Sequence, residues 1–182
     1  SKRQLKKWEK NRKKAYNGSL RHLLKTLTDR FDLRFNFNEG MIIQNDNWNS
    51  IAGRKKDPLV REGFSISMNK KDLFGTSLII EEEYKPLRSD TLVFPGATYE
   101  QPLLSFEGRM MVVYMKESPE LAYMMENDSP SSYKQTSYLL LRADSVYYDR
   151  DGRYFEPYMI EQQGYSSWER IGDQLPFNYE QE

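Results

Sequence analysis

Cysteine is absent from the 182 residues, and with it go disulfides, thiolate nucleophiles and thiolate metal sites. Histidine occurs once, as His22. A single imidazole excludes Cys-His and multi-histidine zinc centres and leaves little room for a Ser-His-Asp triad. Long apolar runs are missing too: the longest, MMVVYM from Met110 to Met115, falls far short of the ~20 residues a membrane-spanning helix needs. The chain opens SKRQLKKWEK with no apolar stretch behind the basic one, so no secretory signal is expected within it, while a trimmed upstream segment stays open. None of GxGxxG, GxxxxGK[ST] or GxSxG is present. No catalytic residue, metal ligand set or cofactor is therefore expected.

What is present is aromatic and charged. Thirteen Tyr, nine Phe and three Trp supply large burial units in a chain with 30% charged residues, so it should fold. Net charge is zero, yet residues 1–34 carry twelve Lys/Arg against three Asp/Glu, and the remainder carries 15 against 24. A basic end of this kind binds phosphates of nucleic acid or lipid, complements an acidic surface, or is simply a solvated face.

Leu5, Tyr16, Leu20, Leu23 and Leu27 fall on one stripe at roughly 100° per residue, which predicts an amphipathic helix over residues 1–28 ending near Leu27. Lys7, Lys14, Arg21 and Lys25 share the opposite face. Gly18 interrupts the helix, so two shorter helices or a close packing contact at Gly18 are alternatives.

From Phe31 the pattern changes to short strands bounded by Gly, Pro, Asn and Asp, expected at Leu33–Asn36, Met41–Gln44, Phe64–Met68, Leu78–Tyr84, Thr91–Phe94, Leu103–Phe106, Arg109–Lys116, Gln135–Arg142, Ser145–Asp149, Arg153–Phe155 and Tyr158–Glu161. Asn45–Glu62 and Lys116–Tyr133 read as loops. Asp151-Gly152 predicts a type I′ hairpin with Tyr147, Tyr148, Tyr154 and Phe155 as facing aromatic pairs. Ser166-Ser167-Trp168-Glu169 predicts a capping box opening a short helix whose face is Trp168, Ile171 and Leu175 and which Pro176 stops. The fold class is α+β: a mainly antiparallel sheet with a long N-terminal helix and a short C-terminal helix. It is expected as one domain, with a basic helix (1–28), a β-rich body (31–165) and a C-terminal helix and tail (166–182).

The candidate binding residues are few. Lys6, Lys7, Lys13 and Lys14 lead the basic helix, with Lys10 and Arg12 beside them, and Arg21 and His22 stand together further along. His22 is expected to hydrogen-bond a neighbouring strand or carboxylate. Trp48, in the Asn-rich run Asn45-Asp46-Asn47-Trp48-Asn49, suits a sugar face or peptide, or anchors its own loop. Asp149-Arg-Asp151-Gly152 fails as an EF-hand, because with Gly152 at loop position 6 tyrosines would fill positions 1 and 12. Glu81 and Glu83 share a strand face and read as solvated.

Two runs, NRKKAYNGSLRHLLKTL at Asn11–Leu27 and QTSYLLLRADSVYYDRDGRYFEPYMIEQQGYSSWERIGDQLPFNYE at Gln135–Glu180, resemble the region that follows the β-sandwich in exported carboxypeptidase-like regulatory domain-containing proteins of Bacteroidetes-type bacteria. Asn11, Arg12, Ala15, Tyr16, Gly18, Ser19, Arg21, His22, Leu24 and Leu27 stand where the family's first pattern has them. Gly164, Tyr165, Trp168, Glu169, Arg170, Asp173, Leu175, Pro176, Tyr179 and Glu180 match its closing pattern. The likeness covers about a third of the chain. It departs at Leu23-Leu24, at Ser166-Ser167 and in the length of Phe35–Glu62. The resemblance implies an extracytoplasmic place at the cell envelope and an uncharacterised binding or structural role. Partners would then be a protein or a surface glycan rather than nucleic acid. It implies no peptidase, since His22-Leu-Leu-Lys25 supplies neither His-x-x-Glu nor a second His. Nucleic-acid or anionic-surface binding through the basic helix is the alternative, and a carbohydrate-active enzyme with dispersed carboxylates comes third.

Overall fold

Asn17, Gly18 and Ser19 divide the basic N-terminal stretch into two helices in the computed structural model, which describes residues 1–33, 35–36, 41–42, 57–69, 85–86, 92–127 and 134–168. Helix α1 (Lys2–Tyr16) is followed by α2 (Leu20–Asp32), then β1 (Phe35–Asn36), β2 (Met41–Ile42), α3 (Pro58–Glu62), β3 (Phe64–Asn69), β4 (Lys85–Pro86), β5 (Val93–Phe94), β6 (Leu103–Leu104) and β7 (Arg109–Tyr114). After these come α4 (Leu121–Glu126), β8 (Gln135–Leu141), β9 (Val146–Tyr147), a 3₁₀ turn at Pro157–Met159, β10 (Ile160–Gly164) and α5 (Tyr165–Trp168).

The break between α1 and α2 has two causes. Gly18 adopts φ +77°, and a Cβ there would lie 2.5 Å from Gln135 Oε1 and 2.8 Å from Tyr114 Cδ1, so backbone direction and space both favour glycine. Ser19 then caps α2, its hydroxyl accepting from the His22 N–H at 3.2 Å. The turn resets the helical phase. Leu5, expected on the same stripe as Leu20 and Leu27, is 53% exposed, whereas Leu20, Leu23 and Leu27 are buried.

Helix α2 is buried on nearly every side, which is why its polar residues bond to the helix itself. Thr26 and Thr28 donate to the carbonyls of His22 and Leu24 at 2.8 and 3.1 Å. It ends at Asp32, not near Leu27, because Phe31 lies one turn beyond Leu27 on the same buried stripe, and core packing outweighs its β preference. Arg30 and Asp57, both largely buried, pair at 3.1 Å, and Asp57 also caps α3 by accepting from the Leu59 N–H.

Two antiparallel sheets close on α2. One runs in the order β10-β8-β7-β3-β4 and the other β5-β6-β9, with β1 and β2 forming a separate pair. Alternation in β7 sends Met110, Val112 and Tyr114 inward, opposite Leu139, Ser137 and Gln135 of β8. Val93, Leu104 and Val146 form the inner row of the smaller sheet, and all of these apolar residues join α2 in one cluster. The chain leaves the larger sheet twice to build the smaller one, at β5–β6 and again at β9.

Several expected elements change. Arg153–Phe155 shrinks to a single bridge, Tyr148 against Tyr154, while Tyr147 opposes Leu103 and Phe155 is exposed. Tyr158 belongs to the 3₁₀ turn set by Pro157, so the last strand starts at Ile160. Short helices α3 and α4 lie within spans read as loops. Ser166 is inside α5 rather than capping it: its N–H donates to Ser137 Oγ at 3.0 Å and its hydroxyl to the Gln163 carbonyl at 3.5 Å. The expected strand Leu78–Tyr84, together with Trp48, Glu169, Arg170, Ile171, Leu175 and Pro176, lies outside the described residues.

The hairpin between β9 and Tyr154 also differs in type. Gly152 N–H donates to the Asp149 carbonyl at 2.9 Å and Asp149 N–H to the Arg153 carbonyl at 2.8 Å, so Arg150 and Asp151 are the central pair and Gly152, at φ +77°, follows them. Asp149 Oδ1 accepts from the N–H groups of Asp151 and Arg153, which is the reason for an aspartate at the turn's first position. A side chain on Gly152 would drive into the Arg21 carbonyl oxygen and stand 3.0 Å from the Lys25 nitrogen of α2. Gly152→Val should therefore cost ~3 kcal/mol or more, and Asp151→Asn, which loses exposed ion pairs, ~1 kcal/mol or less. Urea midpoints of the two variants check this, and equal midpoints would contradict the close approach. Tyr148→Phe, which removes the fully buried 2.9 Å hydrogen bond to Thr28, should cost ~1–2 kcal/mol by the same measurement.

Candidate functional site

His22 is buried at the start of α2, where its ring meets Tyr16 and Phe64 at 4.8 Å and Tyr114 at 5.8 Å between centroids. Nδ1 accepts from the Gly18 N–H at 3.2 Å. That acceptor role puts the proton on Nε2, which faces Glu62 Oε2 at 3.7 Å. Burial pulls the His22 pKa down to about 4, with Glu62 opposing and Lys116 assisting the shift. Burial alone would raise Glu62, but Arg61 and Lys116, at 3.0 and 3.4 Å, hold it below the usual carboxylate range. Burial and the nearby Glu117 and Glu62 push the Tyr114 hydroxyl up to about 12. The imidazole is thus neutral at pH 7, and its lone pair is committed to the α1–α2 turn. It locks a backbone junction and has no free face for proton transfer.

Arg21 lies beside it in sequence but joins a different cluster. Its Nε donates to the Asp151 carbonyl at 3.3 Å, and Lys25 stands 3.8 Å from Asp151 Oδ1. Arg153 pairs with Asp149 at 3.0 Å and also with Asp151. Burial, followed by the neighbouring Arg153, lowers the Arg21 pKa, and Tyr16, Asp149 and Asp151 oppose this. Arg150 reaches Asp32 at the far end of α2, stacks 3.7 Å above the Tyr99 ring and donates to the Tyr99 carbonyl at 3.1 Å. The hairpin's charges are spent on α2, its own turn and the Tyr99 loop. Among the described residues no group of three His, Asp or Glu stands together as a metal site.

Lys6, Lys7, Lys13 and Lys14 lie on exposed α1, on the other side of the Gly18 turn from Arg21 and His22, with Lys14 bridged to Glu120 at 2.8 Å. The structure therefore brings Arg21 together with Asp151 and Gly152, seats His22 against Glu62, and leaves the lysines apart from both. Trp168 packs edge-on against Tyr123 of α4 at 5.7 Å. Sequence reasoning passes over Glu62, Lys116, Arg150 and Asp32, whose partners are distant in the chain and leave no local pattern. It also passes over Trp8, which is 52% exposed and whose spacing of three from Leu5 places both on one helix face. A further outward feature crosses the smaller sheet: Phe94, Leu103 and Tyr147 stand directly opposite one another on β5, β6 and β9, with Phe94 and Tyr147 exposed.

The His22 environment makes stability pH-dependent. The unfolded chain takes up a proton at the ordinary pKa of 6.5 and the folded chain only at about 4, so stability is full above 6.5 and falls as pH drops through that window. The loss should approach about 1.4 kcal/mol per pH unit, reaching about 3 kcal/mol at the lower end. His22→Gln, which keeps an acceptor for the Gly18 N–H and cannot titrate, should flatten that slope in urea titrations across the window; an unchanged slope would contradict the assignment.

No family model matches the chain, and no curated protein or solved structure is significantly similar to it, so the likeness to the exported carboxypeptidase-like regulatory proteins rests on the residues of the chain's two ends.

Proposed function

We propose that the chain is a non-enzymatic interaction domain of an exported bacterial envelope protein, with a protein or surface glycan as partner. One observation carries the reading: among the described residues, the single imidazole and the charged groups of the 149–153 hairpin are paired within the fold, whereas a row of two aromatics and a leucine crosses the outer face of the smaller sheet. His22 is committed to Gly18 and Glu62, and Asp149, Asp151 and Arg153 to one another and to α2. Phe94, Leu103 and Tyr147 form a flat ladder across three strands, the kind of surface on which a sugar ring or extended peptide stacks. The family resemblance of Asn11–Leu27 and Gln135–Glu180 supports the envelope location.

In about 0.5 M salt, which screens attraction of the basic α1 to charged envelope surfaces, the purified chain should sediment with isolated envelopes of its source bacterium. A Phe94→Ser/Tyr147→Ser double variant should sediment at least tenfold less while still unfolding cooperatively at a cost of ~2 kcal/mol or less, since the two side chains are 42% and 48% exposed. Chain that stays in the supernatant, or a double variant that sediments as well as the parent, would remove this reading.

A further inference from the structure

We propose that α1 is a membrane-surface arm that lies on an anionic phospholipid bilayer, with Leu5 and Trp8 among the headgroups and its lysines against the phosphates. Residues 1–14 are exposed, and the helix is held to the body at its C-terminal end, by buried Tyr16, by Asn17 donating to Glu117 at 2.8 Å and by the 2.8 Å pair of Lys14 with Glu120.

Its sequence is ill suited to standing alone in water. Eight of its 15 residues are Lys or Arg and one, Glu9, is acidic. Lys2/Lys6, Arg3/Lys7, Lys6/Lys10 and Lys10/Lys14 are like-charge neighbours one turn apart, and Lys2 and Arg3 sit at the positive end of the helix dipole with no acidic residue in the first turn. An isolated helix of this length is marginal in water even without such repulsion. A surface of negative charge removes the repulsion and gives the helix a counter-field.

The distribution of side chains selects lipid among the polyanions. At roughly 100° per residue, Lys2, Lys6, Lys10, Lys13, Arg3, Lys7 and Lys14 cover one arc of about 140°, and Leu5, Trp8, Ala15 and Tyr16 lie on the other side with Arg12 among them. A basic face opposed by Trp and Leu is the pattern of a helix lying in the interfacial plane, where tryptophan gains from the headgroup layer. A nucleic acid would use the lysines and leave Leu5 and Trp8 in water. Lysine predominates over arginine on the basic arc, which suits a diffuse field of headgroups more than bidentate phosphate recognition. The remainder of the chain outside α1, with 26 acidic against 19 basic residues, is repelled by the same surface, so attraction is confined to the arm. The proposal rests on the envelope reading only in requiring a bilayer within reach.

The test uses the full 182-residue chain and vesicles of about one-third phosphatidylglycerol in phosphatidylcholine, with phosphatidylcholine alone as control. Co-sedimentation should show binding to the anionic vesicles alone, at least tenfold weaker at about 150 mM salt than at about 20 mM. Replacing Lys6, Lys7, Lys10 and Lys13 with Gln should weaken it at least tenfold, with urea midpoints of the body unchanged. The Trp8 emission, taken as the difference between the parent and Trp8→Phe, should shift to the blue on binding. No binding at low salt, equal binding to neutral vesicles, or unmoved Trp8 emission in the bound state would overturn the proposal. Duplex DNA bound more tightly than the vesicles would hand the helix to nucleic acid and overturn it too. Failure of the high-salt envelope sedimentation alone would leave this result standing, because the Phe94–Leu103–Tyr147 row plays no part in it and salt screens the arm.

Discussion

The approach of the 149–153 hairpin to the backbone of α2 is the contact on which the rest of the structure hangs. Gly152 meets the Arg21 carbonyl without an intervening side chain, and that distance lets Tyr148 enter the core and reach Thr28. Tyr148 in turn follows directly on β9, the edge of the smaller sheet. Widening the gap by one methyl would therefore move a sheet edge and the buried hydrogen bond together, since close-packed interiors transmit such a displacement rather than absorb it. The ion pairs of Lys25, Arg150 and Arg153 surround this contact and are partly exposed, so they fix its orientation more than they supply its energy.

A second lock sits beside it at the start of α2, where His22 joins the Gly18 turn to Glu62 and through it to Lys116. The two locks explain why an otherwise apolar helix carries so many polar residues. Each of His22, Thr26, Thr28 and Arg30 answers a specific partner: a backbone amide, two preceding carbonyls and the Asp57 cap. Buried polar groups satisfied in this way cost little and restrict the number of ways in which the helix can seat.

The α+β class and the antiparallel sheet were legible because Arg109–Tyr114 and Gln135–Leu141 are short runs rich in strand-forming residues and bounded by turn residues, whereas the inside-outside alternation along them emerges only in the fold. Gly18 announced a break, and Asp149-Arg-Asp151-Gly152 announced a hairpin. The turn type was not legible, because a two-residue and a three-residue loop share the same Asp-Gly signature and the choice is made by the Asp149 side chain and by α2. Helix α4 escaped notice since none of its residues is buried: Leu121 and Met125 are 69% and 74% exposed and leave no inward stripe to detect. The His22 environment was legible only as a residue type, since Glu62 and Lys116 come from α3 and from the residues after β7, and nothing local joins them. The outward faces were the least legible. Leu5 looked like core until the Gly18 turn separated its helix from α2, and Phe94, Leu103 and Tyr147 become a row only when three short strands align.

The distances along the chain between α2 and its partners have a consequence for how the molecule is made. Thr28 and Tyr148 are separated by 120 residues, and Arg21 and Asp151 by 130. At synthesis rates of about 5–20 residues per second, α2 waits roughly six seconds or more after leaving the ribosome before the strand and turn that cover it exist. During that interval α2 can meet α3 and β3, but the side that Tyr148 and the hairpin cover has no partner. Contacts of such long sequence separation form late, so the face of α2 that Tyr148 and the hairpin cover stays open until residues 148–153 have been made. The helix translated early is the part of the fold completed last.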